Sequence, residues 1–153
     1  MNIAIYPGSF NPFHKGHLSV YKKAKSIFDR VIVAVGQNPQ KHYGDIDRVE
    51  TLKRQLGEKI EVEKYEGFLI DYICELREKH GKEHNYIIIR GIRNAEDANF
   101  EITQLRILED QNPFVKVVFI PSAREYSHIS SSTIRMMESI KKGSASEYIA
   151  KKL

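Results

Sequence analysis

Two histidines in a loop rich in glycine and proline are the first residues of the chain that could do chemistry. The loop lies in "YPGSFNPFHKGHLSV", residues 6–20, before a segment with helical spacing. It is neither a dinucleotide fingerprint nor a P-loop, because Gly8 and Gly16 do not give G-x-G-x-x-G and no Gly-Lys-Ser/Thr follows. His14 and His17 can both face a phosphate at the helix start, where free N–H groups favour an anion and an imidazole can stabilise developing negative charge.

Cationic side chains lie in two further loops that follow predicted strands. In "IIIRGIRNAEDANFE", Arg90 and Arg93 stand at a strand end, and arginine suits bidentate recognition of phosphate. Gly91 between them lets the backbone approach a ligand. Lys41, in "GQNPQKHYG", is a flexible point charge that also suits a phosphate. Glu101, in the helix after Arg93, could orient an arginine, bind a ribose or be exposed to solvent.

A run of serines precedes the last clear helical pattern. Ser130, Ser131 and Ser132 stand before it, and one N-cap needs only one hydroxyl. The other hydroxyls, the helix N–H groups and Arg135 could hold a polyphosphate. Two such helix starts, one lysine and two arginines fit a nucleotidyl transfer. The nucleophile there is a phosphate oxygen of the second substrate, so catalysis needs only positioning and charge stabilisation.

Short aliphatic runs alternate with segments of helical spacing along the chain. The predicted strands are Asn2–Tyr6, Val31–Gly36, Ile60–Tyr65, Tyr86–Ile89 and Val115–Ile120. Apolar spacing predicts helices around 18–28, 49–56, 69–76, 100–108 and 133–140, with a short last helix in 144–153. This order predicts one α/β domain over 1–153, a Rossmann-like five-stranded parallel sheet with helices on both faces. Ligands bind such sheets outside the carboxyl ends of the strands, where the loops above lie.

Composition and charge are those of an ordinary globular protein. The 153 residues are 41% hydrophobic and 29% charged, which argues against a disordered or fibrous chain. No apolar run is long enough to span a membrane and no secretory signal is recognisable, so a cytoplasmic protein without membrane contact is expected. The single cysteine, Cys74, lies in an apolar-periodic stretch and is predicted to be a small buried hydrophobe.

The same motifs carry a resemblance to a known family. The segment "YPGSFNPFHKGH" resembles the T/H-x-G-H motif of the nucleotidyltransferase superfamily. The segments "IIIRGIRNAEDANFE" and "REYSHISSSTIR" resemble those of the bacterial phosphopantetheine adenylyltransferases, and the resemblance covers essentially the whole chain. Two positions depart from the family pattern. Asn11 stands where an acidic residue is common, and Lys41 is alone where the family often has two lysines.

The resemblance implies reversible transfer of AMP from ATP to 4′-phosphopantetheine with Mg²⁺, giving dephospho-CoA and pyrophosphate in a homohexameric enzyme of coenzyme A biosynthesis. The catalytic residues would be His17, at the α-phosphate, with Lys41 and Arg90, which would hold the phosphate of phosphopantetheine. Ser9 would contact both substrates, and Leu69 would line the apolar arm of the acceptor. The implied ATP contacts are Ser9, Phe10, His14, His17, Gly91, Ile92, Arg93, Glu101, Tyr126, Ser127, His128, Ile129, Ser130, Ser131 and Ser132. No carboxylate cluster suggests metal ligands, so the triphosphate and water would hold the metal.

Three alternative functions would require features that differ from those of this sequence. Nicotinate mononucleotide adenylyltransferases also have a similar serine run and His14, but they are usually longer and lack R-G-I-R-N. A basic module that binds nucleic acid would fit the pI of about 9.1, yet the lysines are interspersed with acidic residues and no aromatic residues interleave to stack bases. A fragment of an aminoacyl-tRNA synthetase core would need a K-M-S-K-S loop, which the chain lacks. An enzyme that binds no nucleic acid is therefore expected.

Overall fold

Five parallel strands form the one sheet of the computed structural model, which describes residues 1–37 and 47–153. They are β1 (Asn2–Gly8), β2 (Arg30–Gln37), β3 (Glu61–Glu66), β4 (Asn85–Ile92) and β5 (Val117–Pro121). The order across the sheet is β3-β2-β1-β4-β5, and every neighbouring pair is parallel. The predicted fold class is confirmed: the chain forms a single Rossmann-like α/β domain.

The strand order reverses direction at β1. The chain steps outward from β1 to β2 and β3, then crosses back to place β4 on the other side of β1 and continues outward to β5. The switch point therefore lies between β1 and β4. In open α/β sheets a ligand crevice forms outside the carboxyl ends of the two strands at this point.

Within the described residues, five α-helices cover the sheet. They are α1 (Lys15–Ile27), α2 (Arg48–Leu56), α3 (Leu69–His80), α4 (Ala95–Gln111) and α5 (Ser131–Ile140). Alternate side chains of the central strand point to opposite faces. Ala4 and Tyr6 pack in one core cluster with residues of α1 and α2, while Ile3 and Ile5 pack in the other with residues of α3. The central strands β1 and β2 are thus apolar on both faces, as the alternating pattern predicted, whereas the edge strand β3 carries four charged residues and buries only Val62.

Two predictions about local structure were wrong. Cys74 is exposed, because the buried face of α3 passes through Ile73 and Leu76 and leaves residue 74 beside it. The last helix, predicted in 144–153, is one 3-10 turn at Ser146–Tyr148. Beyond it the chain is held in extended form on the loop after β1, where the Ala150 N–H donates to the Phe13 carbonyl at 3.3 Å.

Strands β1 and β4 extend further than their predicted apolar runs. β1 continues through Gly8 and β4 through Ile92, since backbone pairing with β2 and β5 persists there. This extension carries the backbone of both strands to the rim of the crevice. No helix within the described residues is both long and apolar enough to cross a membrane.

Replacing Leu56 by alanine tests the core between α2 and the sheet. Leu56 is fully buried in the first core cluster, so Leu56→Ala should lower the free energy of unfolding by about 2–5 kcal/mol in urea denaturation. The control Ile140→Ala, at a side chain that is 79% exposed, should change it by no more than about 0.5 kcal/mol. Equal effects of the two substitutions would contradict the packing described.

Candidate active site

A cleft of about 360 Å³ opens at the carboxyl ends of β1 and β4. Its walls come from the loop after β1, the first turns of α1 and α4, the end of β4 and the start of α5. Predicted site residues meet there from four separate segments. Those that line the cleft are Ser9, Phe10, His14, His17, Arg90, Gly91, Arg93, Glu101, Ser130 and Ser131.

The other predicted residues lie elsewhere. Lys41 falls outside the described residues, and Leu69 is buried at the start of α3 in the second core cluster. The remaining residues flank the cleft without lining it: Ile92, Tyr126, Ser127, His128, Ile129 and Ser132. Ile129 is nevertheless tied to the cleft wall, because its carbonyl accepts a hydrogen bond from Nη1 of Arg93 at 3.1 Å.

Reciprocal hydrogen bonds between the two histidines begin α1. His14 is the N-cap, and its Nδ1 accepts from the N–H groups of Gly16 and His17 at 3.1 and 3.3 Å. The N–H of His14 donates in return to Nδ1 of His17 at 3.2 Å. A backbone N–H can only donate, so neither Nδ1 carries a proton and both neutral rings are protonated at Nε2. The sequence did not predict this capping box, because histidine is not a usual N-cap residue.

Both imidazoles are kept neutral by their surroundings. Burial holds the pKa of His17 well below its usual value, and the neighbouring His14 and Arg93 lower it further. Burial, followed by the charge of Arg93, lowers the pKa of His14 to about 4. The rings stack with centroids 3.6 Å apart, and Phe10 packs edge-on against His17 at 5.1 Å. His17 is therefore a rigid, neutral donor whose Nε2–H remains available to the cleft.

The two arginines of the cleft are each paired with a carboxylate of α4. Nε and Nη2 of Arg93 donate to Asp97 at 2.8 and 3.0 Å, and Nε of Arg90 lies 3.4 Å from Oε2 of Glu101. The bond to Arg93 lowers the pKa of Asp97, whereas burial raises the pKa of Glu101 against the opposing effect of Arg90. Glu101 thus orients an arginine, one of the roles left open for it.

The start of α5 is docked onto the loop after β1. Ser130 is the N-cap and accepts from the Thr133 N–H at 3.1 Å. Oγ of Ser131 donates to the Pro12 carbonyl at 3.0 Å, and Nη1 of Arg135 donates to the Asn11 carbonyl at 2.7 Å. The sequence suggested a polyphosphate contact for Arg135, but its guanidinium binds this loop. Two helix N-termini, those of α1 and α5, consequently border the same cleft.

Several residues that line the cleft were not predicted. They include Tyr6, Val20, Asp97, Phe100 and Ser122. Asp97 had a usable signal, because it follows Arg93 by four residues at a helix start, a spacing at which opposite charges meet. Phe100 fits the apolar pattern of a core helix, but its ring is 63% exposed, since α4 has no buried residue.

The arrangement is suited to holding an anion with several phosphate groups. Neutral N–H donors, helix N-termini and two arginines converge on one space, and phosphate oxygens accept from all of these groups. This set of donors can stabilise negative charge on a phosphorus centre under attack.

Comparison with known proteins reveals similarity along nearly the entire chain. A family model described as cytidylyltransferase-like matches residues 5–137. A phosphopantetheine adenylyltransferase of Alkaliphilus metalliredigens (strain QYMF) is 37% identical over 153 residues, which cover 97% of this chain and 92% of that protein. A protein of the same name from Clostridium botulinum (strain Hall) is 35% identical over 141 residues, covering 90% of this chain and 82% of its own.

Solved structures share the fold at lower identity. A structure described as a putative nicotinate-nucleotide adenylyltransferase from Vibrio parahaemolyticus superposes with a TM-score of 0.68 and 20% identity, covering 98% of this chain and 88% of that one. NadR protein in complex with NAD and AMP-PNP gives a TM-score of 0.62 and 20% identity over 97% of this chain. The chain spans only 44% of that second protein. At this identity the likeness shows the fold alone.

Titration of the histidine rings by NMR tests the capping box. In long-range ¹H–¹⁵N spectra, His14 and His17 should both show the neutral form protonated at Nε2 at pH 7, and His14 should titrate with a pKa of about 4. The variant Arg93→Gln should raise both pKa values, because it removes a nearby positive charge. Rings protonated at Nδ1, or titrating near the ordinary value of about 6.5, would contradict the geometry.

The depressed pKa of His14 also affects stability. Between about pH 6.5, the usual value for an unfolded histidine, and pH 4, the unfolded chain binds more protons at this site than the folded chain. The contribution of His14 to stability is therefore complete above this window and is lost as the pH falls through it.

Proposed function

The chain belongs to the cytidylyltransferase-like family and is a nucleotidyltransferase, and we propose that it transfers AMP from ATP to 4′-phosphopantetheine. The products would be dephospho-CoA and pyrophosphate, in a reversible step of coenzyme A biosynthesis. The observation that carries the proposal is the pair of relatives named phosphopantetheine adenylyltransferase, 35–37% identical over at least 90% of this chain. The structures that favour the alternative, a nicotinate mononucleotide adenylyltransferase, are only 20% identical.

In the proposed reaction, an oxygen of the acceptor phosphate attacks the α-phosphorus of ATP. A new P–O bond forms as the bond from the α-phosphorus to the bridging oxygen breaks, and pyrophosphate leaves with that electron pair. Negative charge builds on the oxygens around the α-phosphorus. The Nε2–H of His17 would donate to one of them, and its fixed tautomer means that no reorganisation is needed at that moment.

The two substrates would share the cleft on either side of His17. ATP would lie along the end of β4 and the start of α5, contacting Ser9 and Phe10, Gly91 to Arg93, Glu101 and the segment 126–132. The phosphate of phosphopantetheine would bind Arg90 and Lys41, with Leu69 beside the apolar arm. Arg90 supports this assignment, because it lines the cleft and is held by Glu101 rather than by a backbone group.

We propose that Mg²⁺ accompanies ATP as the cofactor. Within the described residues no group of three or more His, Cys, Asp or Glu could hold a metal ion, so the protein offers no cage of its own in this part of the chain. The ion would be held by the phosphates and water, and it would supply charge neutralisation. The proposed location is the cytoplasm, where ATP is available.

A homohexamer is part of the same proposal. Phe100, Ile102 and Ile107 expose apolar side chains on α4, and Phe114 and Val118 extend this exposure to the edge strand β5. Contact between copies of the chain over this surface would remove apolar area from water. The family resemblance supplies the number of subunits.

An acceptor assay tests the proposed function. Pyrophosphate release from ATP should be rapid with 4′-phosphopantetheine, whereas nicotinate mononucleotide at the same concentration should give release near background. Mass spectrometry should identify dephospho-CoA as the product. Faster release with nicotinate mononucleotide would overturn the acceptor while retaining the nucleotidyl transfer.

Replacing His17 tests the stabilisation of the transition state. His17→Ala should lower kcat by about 10²–10³-fold, with much smaller changes in the KM of either substrate, because its hydrogen bond strengthens as charge develops. The matched control is His84→Ala. This histidine directly precedes β4, at the amino ends of the strands and thus away from the cleft, so its removal should leave kcat unchanged. A raised KM with intact kcat in His17→Ala would show a binding role instead.

A further inference from the structure

Arg48 is a buried cation that belongs to no wall of the cleft. It is the first residue of α2 and is only 7% exposed, whereas none of the residues that line the cleft comes from α2. Its Nη1 donates to the Ser9 carbonyl at 2.5 Å and its Nη2 to the Gly36 carbonyl at 2.8 Å. The guanidinium thus bridges the carboxyl ends of β1 and β2.

The Ser9 carbonyl belongs to the peptide that enters an unusual backbone conformation. Phe10 has φ 47°, in the left-handed region, and is the only described residue other than glycine with positive φ. Such a conformation is unfavourable for a residue other than glycine and persists only where the surroundings impose it. The buried ring of Phe10, packed on Tyr6 and His17, imposes it from one side. Arg48 imposes it from the other by holding the carbonyl.

Holding that carbonyl also fixes a hydrogen-bond donor. The Ser9–Phe10 peptide is trans, so its N–H points opposite to its C=O. With the oxygen turned toward α2, the Phe10 N–H points away from α2, the side on which the cleft lies. Among the described residues this N–H has no hydrogen-bond partner. Within the described part of the chain it is therefore a donor that a ligand in the cleft could use.

A second side chain of α2 holds the other end of the same loop. Gln55 follows Arg48 by two helical turns, so both lie on one face of α2. Its Nε2 donates to the carbonyls of Phe13 and Ala150, each at 2.8 Å. Side chains of α2 thus donate hydrogen bonds to the carbonyls at both ends of the loop from Ser9 to Phe13. Helix α2 acts as a support of the cleft, although it does not line it.

We propose that Arg48 is a positioning residue of the nucleotide site: by holding the Ser9 carbonyl it aims the Phe10 N–H at a phosphate oxygen of the bound nucleotide. The proposal rests on the proposed function only for the identity of the nucleotide. The planar fork of arginine reaches two carbonyls in fixed directions. A lysine would keep the charge but lose this geometry.

The test compares Arg48→Lys and Arg48→Met with Arg54→Met, which removes an exposed arginine of the same helix. ATP binding is measured by calorimetry, and the Phe10 amide is followed in ¹H–¹⁵N spectra as ATP or inorganic pyrophosphate is added. In the unmodified protein and Arg54→Met, the Phe10 amide signal should shift on binding. In Arg48→Lys this shift should be largely lost and ATP should bind about 10-fold more weakly, while the melting temperature changes little. Arg48→Met should show the same loss of the Phe10 shift and of ATP affinity. If Arg48→Met does not fold, the result for Arg48→Lys decides the test.

The kinetic readout separates positioning from simple destabilisation. With 4′-phosphopantetheine as acceptor, Arg48→Lys should lower kcat/KM for ATP by about 10–100-fold and leave the KM of the acceptor within twofold. Unchanged ATP affinity and an unchanged Phe10 response in Arg48→Lys would overturn the inference. If the unmodified protein binds ATP with the Phe10 shift, and Arg48→Lys loses it, the inference stands even where no AMP reaches phosphopantetheine. That last result would count against the proposed function alone.

Discussion

The reciprocal hydrogen bonds between His14 and His17 fix the part of the cleft that is formed by the loop after β1 and the first turn of α1. The same bonds that begin α1 also fix the tautomer of each imidazole, because each Nδ1 is occupied by a backbone N–H. Serine or aspartate could cap the helix as well as His14 does, but neither would stack a ring 3.6 Å from that of His17. Protonation at either Nδ1 would break the cap. Capping, burial and the charge of Arg93 therefore all favour the neutral rings.

The positive charges of the cleft are compensated within it. Arg90 and Arg93 face Glu101 and Asp97, which are four residues apart on one side of α4. An uncompensated pair of guanidinium groups this close to the histidines would be costly without ligand, and a phosphate can replace a carboxylate at the same donors. Arg93 also donates to the Ile129 carbonyl. It thus joins the start of α4 to the segment before α5.

The sequence predicted the centre of the sheet well because β1 and β2 are buried on both faces. A strand such as β1, with Ile3 and Ile5 in one core and Ala4 and Tyr6 in the other, reads as a continuous apolar run with no solvent side. Polar residues that directly follow such runs lie at the carboxyl ends of the parallel strands. Their positions in the sequence therefore predicted most of the residues that line the cleft. The failures have a different cause. Cys74 was assigned to the core although the spacing of Leu69, Ile73 and Leu76 places the buried face of α3 beside it. The last segment depends on tertiary hydrogen bonds with Gln55 and with the Phe13 carbonyl, which leave no periodic signal.

Arg48 shows why a further part of the site escapes sequence patterns. A site that binds phosphate through backbone N–H groups depends on the direction of individual peptides, and this direction is set by whatever holds the carbonyl on the other side. Every residue has a carbonyl, so the partners of Arg48 and Gln55 carry no mark in the sequence. A buried guanidinium that donates to two carbonyls, those of Ser9 and Gly36, shows such a support only once the fold is known. Helix α2 therefore contributes to the cleft by fixing the position of the loop after β1, although no residue of α2 lines the cleft.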